Sequence, residues 1–265
     1  MKFSIDHYQR IVAPVAVSDL DLDHAFATPL PEPDLRCLRY MHDIELHTVC
    51  YLRDLLVTSA HRDPEITTFL TMWAYEEFWH GDAIATVLRA HGEEAGRPRV
   101  ARLRGRRRLA EATAPLRHLA GSAIIGPAMS AVHMTWGAVN EWTTQAGYAR
   151  LAATSSHPVL TELLQRIMKQ EGRHIDFYAT QATERLAASV RAQRLTRFAL
   201  KRMWRPVGSD VMPEQEVRHL IGHLFGGDDG AAILQRIDRR IDRLPGLAGL
   251  NLVTTAAARV SGAAA

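Results

Sequence analysis

The stretch YEEFWHGDAIATV, Tyr75 to Val87, decides how this chain is read. Glu77 and His80 stand three residues apart, a spacing that sends both side chains from one face of an α-helix. A plain core helix would place aliphatic groups there. This one carries a carboxylate and an imidazole, both able to bind a metal. The segment is either a solvated helix face or half of a metal site, and the rest of the chain has to decide.

Helix signals dominate outward from this stretch. Asp63 reads as an N-cap with Pro64 at the first helical position, opening a helix that ends near Gly92. Pro158 opens another, whose Leu160, Leu163, Leu164, Ile167 and Met168 mark one apolar stripe. A third runs from about Asp34 to Ser59, and a fourth from about Ala120 to Ala153. Shorter helices follow residue 187, among them those in MPEQEVRHL and AAILQRIDRRIDRL. Neither an alternating strand pattern nor an Asn-Gly hairpin is present, so the expected fold is all-α. Four long helices with mostly short connections point to a bundle within a single domain. The expected core spans about 33–186, with a C-terminal helical extension at about 187–260.

Composition removes several function classes. The chain has 265 residues and a net charge of +3, ordinary for a globular protein. Its two cysteines, Cys37 and Cys50, form no CxxC and read as buried core thiols. Residues 119–139, LAGSAIIGPAMSAVHMTWGAV, carry no charge but are only mildly hydrophobic, which fits a deeply buried helix better than a membrane span. The N-terminal stretch 1–26 lacks the apolar core of a signal peptide, so a cytoplasmic protein is expected. Seven arginines and no acid occupy 97–108, a run that reads as a solvated face or connector, or as an anion-binding surface. No nucleic-acid-binding motif accompanies it.

ExxH by itself says little, because chance alone supplies roughly one match in a chain of this composition. Three are present: Glu77–His80, Glu171–His174 and Glu216–His219. The first two fall in the middle of long expected helices. Glu216 follows Pro213 in a first helical turn, where a carboxylate favours the helix dipole, although His223 shares its face and keeps a second metal reading open. A ferritin-like di-iron centre takes a glutamate from each of two helices and an ExxH from each of the other two. Glu45 and Glu141 are the mid-helix candidates, and Glu141 is the sole acid between Glu111 and Glu162. A buried carboxylate so isolated calls for a cation. The chain order becomes Glu45, Glu77–His80, Glu141, Glu171–His174, and these donors suit a pair of Fe(II) ions.

With these residues in place, the chain resembles the soluble acyl-carrier-protein desaturases among the ferritin-like di-iron carboxylate proteins. WAYEEFWHGD is similar to their second-helix motif, and QEGRHIDFY to their fourth, with Arg173 before His174 and Tyr178 four residues after it. Tyr51 follows Glu45 by six residues as in that family, and Thr144 falls where the family carries a threonine beside the metals. The likeness covers about residues 35–185. Gln170 departs from it, standing where an acid usually precedes the second ExxH.

The resemblance implies two iron ions, O2 and electrons from a ferredoxin-like donor, used to remove hydrogen from an acyl chain carried on acyl carrier protein. It implies Glu77 and Glu171 as bridging ligands, Glu45 and Glu141 as terminal ligands, and His80 and His174 one per iron. Thr144 would take part in proton delivery and Trp73 would lie on an electron path or pack the second helix. A homodimer is expected. Arg104, Arg106, Arg107 and Arg108, with Arg191, Arg194, Arg197, Lys201 and Arg202, would dock an acidic carrier. Hydroxylation or N-oxygenation needs only a different substrate position. Iron storage is the non-enzymatic alternative, against which the tail of about 80 residues beyond the fourth helix argues.

Overall fold

The computed structural model describes residues 3–21, 29–155 and 157–262; residues 1, 2 and 22–26 of the N-terminal stretch lie outside them. Every regular element among the described residues is helical, as the hydrophobic periodicity requires. In chain order the helices are α1 (Ile5–Ile11), α2 (Glu32–Leu56), α3 (Pro64–Ala90), α4 (Arg97–Arg106), α5 (Arg108–Ile125), α6 (Met129–Thr154) and α7 (Pro158–Ala187). The remainder are α8 (Val190–Met203), α9 (Glu214–Phe225), α10 (Gly227–Asp242) and α11 (Leu252–Val260). None of them is long and apolar enough to cross a membrane.

The chain divides into two compact units. One comprises Ser4–Ile124 and Leu151–Gln170; the other comprises Met1–Phe3, Ile125–Arg150 and Glu171–Ala265. In the first, α2 packs along α3, with α1 against α3 and α4 against α2. The Asp63 side chain caps α3 by accepting from the Glu65 and Ile66 amides, and Gly92 lies past its end at φ +72°. Cys37, Leu38, Ile66, Phe69, Leu70, Ile84 and Leu88 are fully buried here. A staple fixes the entry to α4. Arg99 donates two hydrogen bonds to Asp43, His42 bonds the same carboxylate, and the other nitrogen of His42 accepts from the Gly96 amide.

In the second unit α6 packs against α7, and α9, α10 and α11 pack on one another. Asp238 of α10 holds the start of α11 by accepting from the Val253 and Thr254 amides and the Thr254 hydroxyl. Glycines set the close approaches of the long helices. A Cβ at Gly137 of α6 would lie 2.3 Å from the Tyr178 ring of α7, and one at Gly81 of α3 would lie 2.6 Å from the Leu46 side chain of α2. Each glycine therefore lets two backbones come together beside a candidate ligand.

Three expectations need correction. The arginine run is not a loop but helix α4 and the first residues of α5; Arg97, Arg102, Arg106 and Arg108 form a solvated face, while Arg99 and Arg104 bond α2 and Arg102 pairs with Glu94. The helix expected from Ala120 is broken at Gly126, where φ is +66°, and Pro127, which cannot donate to a continuing helix. Burial of 119–139 concentrates after this break: Leu119 is 53% and Ile124 82% exposed, whereas Met134, Ala138 and Val139 are enclosed. The third correction is Cys50, which is half-buried beside His47 and Glu111 rather than in the core; Cys37 is fully buried as expected.

Candidate metal centre

Each unit carries one buried triad of two glutamates and a histidine. In the first unit, Glu45 comes from α2 and Glu77 and His80 from consecutive turns of α3, with their ligand atoms within 4.8 Å of one another. Glu45 and Glu77 are both 5% exposed, and His80 is fully enclosed. His80 Nδ1 lies 3.9 Å from Glu45 Oε2. The approach that Gly81 permits brings α2 to α3 at this level, since its missing Cβ would lie 3.2 Å from Glu45 Cβ.

The second triad repeats the pattern. Glu141 comes from α6 and Glu171 and His174 from α7, again with ligand atoms within 4.8 Å of one another. His174 Nδ1 lies 3.1 Å from Glu171 Oε2 and 3.9 Å from Glu141 Oε2. Glu171 and His174 are fully enclosed and Glu141 nearly so. Gly137 stands one turn before Glu141, and the Tyr178 that fills its space stands one turn after His174.

The donors fit a divalent metal on chemical grounds. Carboxylates packed this closely in a low-dielectric interior repel one another, and a cation relieves that cost. Carboxylate and imidazole without thiolate suit iron or manganese better than copper or a structural zinc. These buried clusters are consistent with a di-iron site.

A metal-binding histidine normally donates its other ring nitrogen to an acceptor that fixes its tautomer. His80 Nε2 has that acceptor in Gln170 Oε1 at 2.9 Å. The Gln170 amide nitrogen donates to the Ala13 carbonyl at 3.0 Å, which identifies its oxygen as the atom facing His80. The departure at position 170 thus has a structural role. Sequence reasoning noted the residue but missed this contact, because its partner lies 90 positions away. A second missed group is Glu76, fully buried and accepting a hydrogen bond from the Tyr8 hydroxyl at 2.7 Å.

Trp73 is buried and makes an edge-to-face contact with Tyr51 at 6.1 Å between centroids. Thr144 lies on α6 three residues after Glu141 and is half-buried. Among the described residues, Glu216, His219 and His223 are not gathered into a group of three potential ligands; the two imidazoles stack on each other at 5.6 Å.

Of the arginines expected to meet a carrier, Arg106 and Arg108 are exposed. Arg104 donates to the Leu46 carbonyl and Arg107 lies 3.6 Å from Glu111. Comparison with known proteins finds no family model, no curated protein and no solved structure that matches this chain.

Proposed function

We propose that this chain is an O2-dependent di-iron oxidoreductase with a ferritin-like four-helix core formed by α2, α3, α6 and α7. One observation carries the reading: two helix pairs each present a glutamate opposite an ExxH, and all six side chains are buried. In this proposal Glu45, Glu77, His80, Glu141, Glu171 and His174 would hold the iron.

Iron bound there supplies O2 activation with electrons from a ferredoxin-like donor and abstraction of hydrogen from an unactivated C–H bond. The protein supplies the rest. Gln170 keeps the His80 proton on Nε2 and its Nδ1 lone pair toward the carboxylates. Thr144 offers a hydroxyl one turn from Glu141 as a proton donor and acceptor. Trp73, closed in against Tyr51, keeps water from the α2–α3 side.

For the substrate, the proposal is an acyl chain on an acidic acyl carrier protein. Basic surface supports it: exposed Arg191, Arg194, Lys201 and Arg202 surround Phe198, itself 61% exposed, on one side of α8. Arg106 and Arg108 add exposed charge beside α4, while Arg104 and Arg107 serve internal contacts. Such charges accelerate association with an acidic partner and weaken with salt.

The experiment is turnover of the iron-loaded protein with a reductant and defined acyl-carrier substrates, with products read by mass spectrometry. Loss of two hydrogens per acyl chain supports desaturation, and gain of one oxygen supports the hydroxylase alternative. Iron uptake and O2 consumption with no substrate oxidised would reject the enzyme and leave an iron-binding bundle. Thr144→Val is expected to retain iron while lowering the product formed per O2 consumed. Unchanged coupling would remove Thr144 from the proposal.

A further inference from the structure

A third group of potential ligands lies outside these triads. His47 and Cys50 stand one turn apart on α2, on one face of the helix, and Glu111 reaches them from α5. One ligand atom from each lies within 4.8 Å of the other two. His47 is 7% exposed. Its Nε2 lies 3.2 Å from Glu111 Oε1, while its Nδ1, also buried, has no hydrogen-bond partner among the described residues. The Cys50 Sγ falls within 4.8 Å of a Glu111 carboxylate oxygen, so both α2 side chains converge on one acid.

We propose that His47, Cys50 and Glu111 form a second metal site, separate from the di-iron centre, that binds one thiophilic dication of the zinc type. Imidazole, thiolate and carboxylate are a zinc donor set, and three protein ligands leave a fourth tetrahedral position for water or a small ligand. The half-buried Cys50 gives that position access to solvent. Binding releases the thiol proton to solvent as the sulfur–metal bond forms. Arg53 holds the far oxygen of Glu111, with Nη2 3.2 Å from Oε2, and so orients Oε1 toward His47. Arg104 and Arg107 oppose any cation here. A hard ion such as Mg2+ gains nothing from sulfur to offset that repulsion, whereas zinc does.

The test uses the full chain titrated with Co2+, a spectroscopic stand-in for Zn2+. A sulfur-to-cobalt charge-transfer band in the near ultraviolet is expected at one equivalent, and excess Zn2+ should displace it. Neither triad contains sulfur, so cobalt bound there cannot produce that band. Cys50→Ser should abolish it with Cys37 still present, and His47→Gln and Glu111→Gln should weaken cobalt binding at least about tenfold. Circular dichroism checks that each variant is folded. A second readout needs no variant: Zn2+ should protect Cys50 from alkylation, mapped by mass spectrometry. Absence of the band in wild type, or its survival in Cys50→Ser, overturns the proposal. Alkylation of Cys50 at the same rate with and without Zn2+ overturns it equally.

Discussion

His80 donates Nε2–H to the Gln170 side-chain oxygen at 2.9 Å, leaving Nδ1 toward Glu45 Oε2, 3.9 Å away. One amide thus selects the tautomer in which His80 can take a metal on the side of its carboxylate partner. The same Gln170 grips the N-terminal segment through the Ala13 carbonyl. Gln170→Ala should therefore lower metal affinity about 10–100-fold. Gln170→Glu, which keeps an acceptor, should restore most of it. Metal titration followed by calorimetry separates the two. Equal affinity in wild type and Gln170→Ala would show that the contact does not position the imidazole.

If the clustered carboxylates hold iron as proposed, stability depends on metal. Anaerobic Fe(II) at about 100 times its dissociation constant should add about 2.7 kcal/mol to unfolding, seen as a rise in Tm. Glu141→Ala should abolish much of that rise while leaving the metal-free protein folded, because it removes one of the mutually repelling acids. A metal-free Glu141→Ala protein that melts well below wild type would mean that Glu141 serves packing instead.

Gly137 tests the approach of α6 to α7. A methyl group there would lie 2.3 Å from the ring of Tyr178, which is fully buried. Gly137→Ala should cost about 1–3 kcal/mol through overpacking, despite its better helix propensity. Gly105, with nothing within 4 Å of an added Cβ, is the control, and Gly105→Ala should be neutral or stabilising. Urea unfolding of both variants gives the comparison.

The Arg99–Asp43 staple predicts an acid-labile contribution. Burial works against the Asp43 carboxylate, but hydrogen bonds from His42 and Arg99 outweigh it and hold the carboxyl below its ordinary value. A lowered folded pKa means the stabilisation is complete above about pH 4 and is lost as pH falls through the lower folded value. Asp43→Asn should reduce stability at neutral pH and flatten the decline below about pH 4. Denaturant midpoints across that range would show it; a parallel decline in variant and wild type would discount the staple.

How much of this was legible beforehand differs between local and distant features. The Asp63 cap, Pro64 and Pro158 announced α3 and α7, because cap and proline effects act within a few residues. The pairs Glu77–His80 and Glu171–His174 were legible because helical period puts each glutamate and its histidine on one face, and Glu45 and Glu141 because each is a mid-helix acid in apolar surroundings. The break at Gly126–Pro127 was written in the sequence as well, but the uncharged composition of 119–139 masked it.

The sequence by itself determined an all-α chain and four long helices, and it singled out six glutamate and histidine side chains that the structure buries, since capping, helical period and the cost of isolated buried charge are local or compositional. Only the tertiary structure decided that the arginine run is helical and partly committed to Asp43 and the Leu46 carbonyl. It alone placed Gln170 on His80 and brought Glu111 to His47 and Cys50. Those pairings join residues from about 60 to 90 positions apart, and no local propensity encodes which distant side chain a folded helix will meet.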